Sequence, residues 1–445
     1  MRNPGARRND TSWLTMTEIP TGRLKRSGIA GATLLKVGGR HLQHAATRPF
    51  RSAASRDRQQ QMLDTDTARM LFETFTQLRG TALKVAQMLS METGLLPESM
   101  RKELSRTYHQ VPPLGRPLVR KLLQQEFNQP PEALYAAFDS QAFAAASLGQ
   151  VHAAQTHAGE PVAVKMQYPG IDITIGDDMQ LLRSMLRRTR FADLMRSSLD
   201  EIERRLREEV DYLQEAKNTS WFRKQLQLEG VIIPRVYPAL SSRRVLTTHR
   251  LEGLHLEQWL AQNPTQEQRN HYGQRLYDVF VQSFYGLHAL HADPNPGNYL
   301  FMAADQLGLV DFGCVRHFSI EFTALMPVLL HAYMNNDPSG VIATYQQLGM
   351  IADMPENELQ AFYQTTLRPF GDWLTQPFRS ESFDFGSRGT TYTREGWKTI
   401  KQLSRVNKIN GLADEFIFFD RTFFGLYQIF ERMGAQVRMH HSWLI

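Results

Sequence analysis

At 445 residues, with 42% apolar and 22% charged side chains, the chain exceeds the usual size of one hydrophobic core and has a globular composition. Two lobes or domains are expected, and fibrous or largely disordered classes are excluded. The single cysteine, Cys314, rules out an internal disulfide framework and a thiolate-built zinc site and fits a reducing compartment. The formal charge of +6 is unevenly spread: residues 1–60 carry twelve Lys and Arg against Asp10, Glu18 and Asp57, leaving the remainder slightly acidic.

Residues 1–60 read as a basic flexible tail. Its longest apolar run, Ile29 to Leu35, is far too short to span a bilayer, and no transmembrane helix is expected anywhere in the chain. Basic residues interrupt a weak apolar stretch rather than precede a long one, so no signal peptide is expected and the default location is cytoplasmic. A solvated arm is the first reading of the tail and peripheral contact with an anionic membrane surface the second. Nucleic acid binding has neither an aromatic platform nor a motif behind it.

Residues 61–130 read as a helical extension. Leu71, Phe75, Leu78, Leu83 and Met88 recur at helical spacing, interrupted by Gly80; Gly94 and Pro97 end the pattern, and "LVRKLLQQEF" opens another helix after "VPPLGRP". From 131 to 255 the texture changes. "SLGQVHAAQT" and "PVAVKMQYP" flank a turn at "HAGE" and predict a hairpin, residues 177–228 return to charged helical periodicity, and "VIIPRVYPAL" and "RRVLTTHRLEG" look like strands. Residues 256–445 read as mostly helical, apart from strands flanking "HADPNPGN" and "LGLVDFG". The aromatic stretch "DEFIFFDRTFFGLYQIF" is read first as helix core and second as a lipid or quinone groove.

Three side chains carry the chemical argument. Asp293 and Asn298 lie five positions apart in a proline- and glycine-bearing loop, and an apolar strand then delivers Asp311 in "DFG". A nucleotide kinase needs a base-like carboxylate, an amide oxygen for Mg²⁺ and a second carboxylate for the metal on the phosphates, and these residues supply that set, with Asn298 and Asp311 as the metal ligands. Each piece alone is ordinary turn chemistry; the ordered pair points to a nucleotide site. Lys165, in the alternating "VAVK" strand, is aimed away from the apolar face. A helix over "RLREEVDYLQEAKNTSWF" offers Glu208, Glu209, Asp211 and Glu215 as partners for it. Asp211 and Glu215 share a face, and a solvated acidic face is the alternative. No G-x-G-x-x-G precedes Lys165; an alanine-rich turn, "FAAASLGQVH", takes its place. Alanine restricts φ and adds a methyl, so phosphates are expected to be handled differently from a glycine loop. His288, His291, His440 and His441 lack the partners of a metal site and read as structural or exposed.

Taken together, "AAASLGQVH", "VAVKMQYPGI", "EEVDYLQEA", "HADPNPGN" and "DFG", in this order, resemble the UbiB-type atypical kinases, also called the AarF-domain or ADCK family. The resemblance spans roughly residues 60–330. It implies an α+β, bilobal protein-kinase-like fold with a small β-sheet N-lobe, a mostly helical C-lobe and an N-terminal helical extension over the active site. It also implies ATP and Mg²⁺ as cofactors and a role in ubiquinone biosynthesis near a membrane, acting on quinone-lipid intermediates or quinone-biosynthesis enzymes. Glu209 and Asp211 map onto the family's E-x-D motif and Glu215 onto the partner of Lys165. Lys84 and Gln87, in "KVAQ", map onto its K-x-G-Q motif, with Ala86 in place of the glycine. The resemblance thus implies a catalytic set of Asp293, Lys165, Glu215, Lys84 and Gln87, and a nucleotide-binding set of Ala144, Ala145, Ala146, Ser147, Lys165, Glu209 and Asp211. The alternatives are a small-molecule phosphotransferase of the aminoglycoside or choline kinase type and a nucleotide-binding scaffold for a biosynthetic complex.

Overall fold

The computed structural model describes residues 114–146, 148–186, 192–351, 354–387, 391–403 and 414–444, with isolated positions among the first 113. The basic tail, most of the helical extension with Lys84 and Gln87, and Ser147 lie outside the described residues. The first half runs α1 (Arg116–Phe127), α2 (Pro131–Leu134), β1 (Ala137–Ala146), β2 (Gly149–Gln155), β3 (Pro161–Gln167), α3 (Ile171–Leu186), α4 (Ala192–Glu209), α5 (Tyr212–Gln225), β4 (Val231–Ile232) and β5 (Val245–His249). There follow α6 (Leu256–Leu260), α7 (Gln266–Val281), β6 (Ala289–His291), β7 (Tyr299–Phe301), β8 (Leu307–Leu309), β9 (Val315–His317), α8 (Ile320–Met334) and α9 (Pro338–Gln347). The chain ends with α10 (Glu356–Phe362), α11 (Arg368–Leu374), β10 (Phe383–Asp384), α12 (Thr391–Leu403), α13 (Asp414–Met433) and β11 (Gln436–Val437). It divides into two compact units, Met1–Val210 with Ser242–Thr247, and Asp211–Ser241 with Thr248–Ile445.

The first unit is organised by a four-stranded sheet in the order β1-β2-β3-β5. The β2–β3 hairpin closes where "HAGE" predicts it. Thr156 and Glu160 pair backbone to backbone at 3.0 Å, and Gly159 takes a positive φ of 82° that a residue with a Cβ adopts only under strain. In β3, Val162, Val164 and Met166 are fully buried while Ala163 and Lys165 alternate onto the other face, the period-two pattern of a half-buried strand. Polar groups under the sheet are satisfied in series. The Leu114 amide donates to Gln150 Oε1 at 2.7 Å, Gln150 Nε2 meets His152 Nε2 at 2.7 Å, and His152 Nδ1 meets the Asp139 carbonyl at 2.8 Å. Burial holds the His152 imidazole below its ordinary pKa. Helices α3 and α4 are tied by Arg183 to Asp200 at 2.6 Å and to Glu203 at 2.7 Å.

The second unit is mostly helical around an aromatic core. Phe280 of α7 lies 5.3 Å from Phe423 of α13 and 5.9 Å from Phe284, and Phe284 lies 5.1 Å from Phe318. The reading of the late aromatic stretch as helix core therefore holds: Phe416, Phe418, Phe423, Phe424, Leu426, Tyr427 and Phe430 of α13 are all buried. Asp420, half-buried, is a carboxyl set among these rings. Burial pushes its carboxyl up to about 8, and its charge acts on the buried phenols of Tyr333 and Tyr345. Two small sheets carry the polar loops. β6 pairs with β9, His291 opposite Val315, and β7 pairs with β8, Tyr299 opposite Leu309, in a sheet of order β4-β8-β7. The segment 292–298 thus links β6 to β7 while 310–314 links β8 to β9, and the Ala292 amide donates to the Cys314 carbonyl at 2.8 Å. The topology sets the two predicted loops side by side.

Among the described residues no helix is long and apolar enough to cross a membrane.

Candidate active site

In the first unit the register places Ala144 opposite Val151 and Val151 opposite Lys165, so these residues form one row across three strands on one face of the sheet. This corrects one expectation. The alanines are not the turn: Ala144, Ala145 and Ala146 are the last residues of β1, paired with Val151, Gln150 and Gly149, and only positions 147 and 148 connect the strands. Small side chains at the end of a strand pair allow backbone to approach backbone, and the register shift between Ala142 and Ala144 bulges β1 at Phe143 just before them.

The acidic segment also differs from the single helix that was expected. Helix α4 ends at Glu209, in the first unit, and Asp211 caps a new helix: its side chain accepts the Gln214 amide at 3.0 Å and its carbonyl accepts the Glu215 amide at 3.0 Å. Asp211 therefore stands at the entrance of α5, not on a shared face with Glu215. Asp-x-x-Gln is a helix-start signature that could have been read from the sequence. Replacing Asp211 with Ala should lower stability by about 1 kcal/mol, measured by thermal or urea denaturation, through loss of this cap. Glu215 is 2% exposed, which excludes the solvated-face alternative for it.

Asn298 Nδ2 donates to both the carbonyl and Oδ2 of Asp293, each at 3.0 Å, so these two predicted residues are directly joined. The loop's own residues hold that bond. Asn295 Oδ1 accepts the Gly297 amide at 2.9 Å, and backbone bonds close Asn295 onto Asp293 and Asn298 onto Asn295. With Nδ2 committed, the Asn298 amide orientation is set and Oδ1 is the atom available to a cation. The Asn298 carbonyl accepts the Val310 amide at 3.1 Å, which puts Asn298 next to the segment leading into Asp311. Asp311 Oδ1 accepts the Gly313 amide at 2.9 Å, and His291 Nε2 hydrogen-bonds the Asp311 carbonyl. A Cβ placed on Gly313 would lie 3.2 Å from Asp311 Oδ1 and 3.7 Å from Glu215 Oε2, so the glycine leaves room for two carboxylates to converge. Phe312 is fully buried between His291 and Phe222, and its carbonyl accepts Asn218 Nδ2 at 3.0 Å, anchoring the turn on α5. Burial, and secondarily the Asp293 charge, pushes the Tyr299 phenol well above its ordinary pKa.

The donor set suits a hard cation. An amide oxygen and a carboxylate are ligands of the Mg²⁺ type, which takes one or two protein oxygens and leaves the rest of its shell to water and phosphate. Among the described residues no cluster of three or more His, Cys, Asp or Glu could hold a metal by itself.

One residue escaped the sequence reading. Arg421 of α13 donates from Nη2 to Asp293 Oδ1 at 3.1 Å, across 128 positions. No local signal could have paired them, because the arginine sits inside an aromatic helix read as core. One turn further on, Gly425 lies against the same loop: a Cβ there would come within 2.2 Å of Pro294 Cγ. Gly425→Ala should cost about 1–3 kcal/mol by forcing the helix off the loop, which thermal denaturation would register.

A small sheet bearing a lysine, a helical unit, an Asp–Asn loop and an Asp-Phe-Gly turn after a strand define a protein-kinase-like protein. The chain belongs to the ABC1 atypical kinase-like family, whose model matches residues 106–345, more than half of its length. It is similar to "Atypical kinase COQ8B, mitochondrial" of Danio rerio, 27% identical over 386 residues that cover 84% of this chain and 61% of that one. It is also similar to "Atypical kinase COQ8, mitochondrial" of Saccharomyces cerevisiae, 25% identical over 439 residues, 95% of this chain and 84% of that one. The chain thus spans about three fifths of the length of the Danio rerio protein. Among solved structures it matches Rv3197 from Mycobacterium tuberculosis, determined in complex with erythromycin, with a TM-score of 0.58 and 24% identity over 86% of this chain and 96% of that one, a likeness of fold.

Proposed function

We propose that the protein is an atypical kinase-like ATPase that binds Mg-ATP and supports the biosynthesis of a quinone lipid at a membrane surface. The observation that carries this reading is the Asp293–Asn298 bond held beside Asp311 and Glu215. In this reading Asn298 Oδ1 and Asp311 hold Mg²⁺ and Asp293 orients the attacking oxygen, while Lys165 and Glu215 take the phosphate-binding and lysine-pairing roles that the resemblance to the UbiB-type family implies. Ala144, Ala145, Ala146 and Ser147 approach the nucleotide, and Glu209 and Asp211 support that approach. The resemblance implies that Lys84 and Gln87 belong to a helix over the cleft, which would favour a water or a small phenolic acceptor over a protein. Membrane contact is peripheral, through the basic tail. The COQ8 proteins similar to this chain bear names that call them mitochondrial atypical kinases, which supports the kinase class. The quinone assignment rests on the resemblance to the UbiB-type family.

The test is Mg²⁺-dependent phosphate release from ATP by the full chain, with and without detergent and a phenolic quinone precursor. Release that requires Mg²⁺ and rises with the phenol is expected. No release under any of these conditions would favour a nucleotide-binding scaffold.

A further inference from the structure

The kinase catalytic loop follows the pattern H-R-D-x-x-x-x-N, with a basic residue beside the aspartate. Here Ala292, fully buried, occupies that place, and no Lys or Arg occurs from Ala292 to Asn298. The cation at Asp293 comes instead from α13. Arg421 Nη2 takes Asp293 Oδ1 at 3.1 Å while Asn298 Nδ2 takes Oδ2 at 3.0 Å, so each carboxylate oxygen has its own donor. The Nη1 atom of Arg421 is buried and makes no hydrogen bond, so one edge of the half-exposed guanidinium is turned inward. Gly425 seats the next turn of the same helix on Pro294. Two residues on one face of α13 therefore engage two consecutive residues of the loop.

We infer that Arg421 is a positioning residue for Asp293: together with Asn298 it holds the carboxylate in one orientation and supplies the positive charge that the loop itself lacks. The inference rests on the ATPase reading. Charge-assisted hydrogen bonds are about twice as strong as neutral ones and directional, and phosphoryl transfer depends chiefly on aim and electrostatics. A pair whose side chains are 34% and 37% exposed contributes little to stability. Its loss is therefore expected in turnover and not in folding.

The experiment measures kcat and KM for Mg-ATP hydrolysis with wild type, Arg421→Ala and Arg421→Lys, with thermal melting as the folding control and added guanidinium as chemical rescue. Arg421→Ala should lose about tenfold to a hundredfold in kcat, with KM changed by less than about threefold and an unshifted melt. Added guanidinium should restore part of its kcat without raising that of wild type, and Arg421→Lys should fall between the two because a point charge replaces a fork. A kcat for Arg421→Ala within about twofold of wild type would overturn the inference. So would a loss that tracks a lowered melting temperature and responds to neither guanidinium nor lysine. If wild type itself shows no Mg²⁺-dependent release, the ATPase reading fails and the inference goes with it; release by wild type that is insensitive to Arg421 removes the inference alone.

Discussion

Asp311→Asn is expected to reduce Mg²⁺-dependent phosphate release by at least about a hundredfold, the scale seen when one preorganised charge-stabilising group is removed from a site of this kind. The substitution is nearly isosteric. An Asn Oδ1 can still accept the Gly313 amide that Asp311 Oδ1 accepts at 2.9 Å, and the His291 bond runs to the backbone carbonyl and is untouched. What disappears is the negative charge beside Glu215 and Asn298. The loss should therefore appear without unfolding, and the Mg²⁺ concentration for half-maximal activity should rise. Phosphate release across a Mg²⁺ titration, alongside circular dichroism, checks both statements; unchanged activity would overturn the proposed metal role of Asp311.

The second large effect concerns stability and pH. Burial raises the Asp420 carboxyl from an ordinary 3.8 to about 8, so between those values the folded chain holds a proton that the unfolded chain has released. Stability contributed by this group is then lost as pH rises through that window, with a slope of at most about 1.4 kcal/mol per pH unit. Asp420→Asn carries no charge at any pH. It should melt at a higher temperature than wild type near pH 8, and the gain should shrink toward zero as pH falls to about 4. Melting curves of both proteins over that range test the sign, and a gain that grows on acidification would exclude a buried, proton-hungry Asp420.

Much of this architecture was legible because it is local. The alternation of Val162, Val164 and Met166 against Ala163 and Lys165 encodes a strand with one buried face, and Gly159 marks its turn. Asp293 and Asn298 were readable as a pair because five positions in a loop stiffened by Pro294, Pro296 and Gly297 bring them together without help from elsewhere. Two local readings went astray for physical reasons. Alanine is disfavoured in strands and strand preference depends on context, so only pairing with β2 revealed Ala144–Ala146 as a strand end. The periodicity of the acidic segment continues through Asp211 although the helix does not, because a cap residue preserves spacing while its backbone leaves the helix. Arg421 was illegible in a deeper sense. Its pairing with Asp293 is created by the packing of α13 through Gly425 on Pro294, and no pattern within either segment announces the other.

The distance along the chain between Asp293 and Arg421 bears on synthesis. The family model ends at residue 345, and the helix that engages the loop begins only at Asp414. A ribosome makes the loop first. Until α13 emerges, seconds later at ordinary elongation rates of about 5–20 residues per second, the growing chain contains Asp293 and Asn298 but not the guanidinium that meets them. A nascent or prematurely terminated polypeptide that stops short of α13 would have every predicted metal and phosphate residue and still lack its cation, which delays the assembled loop until α13 has been made.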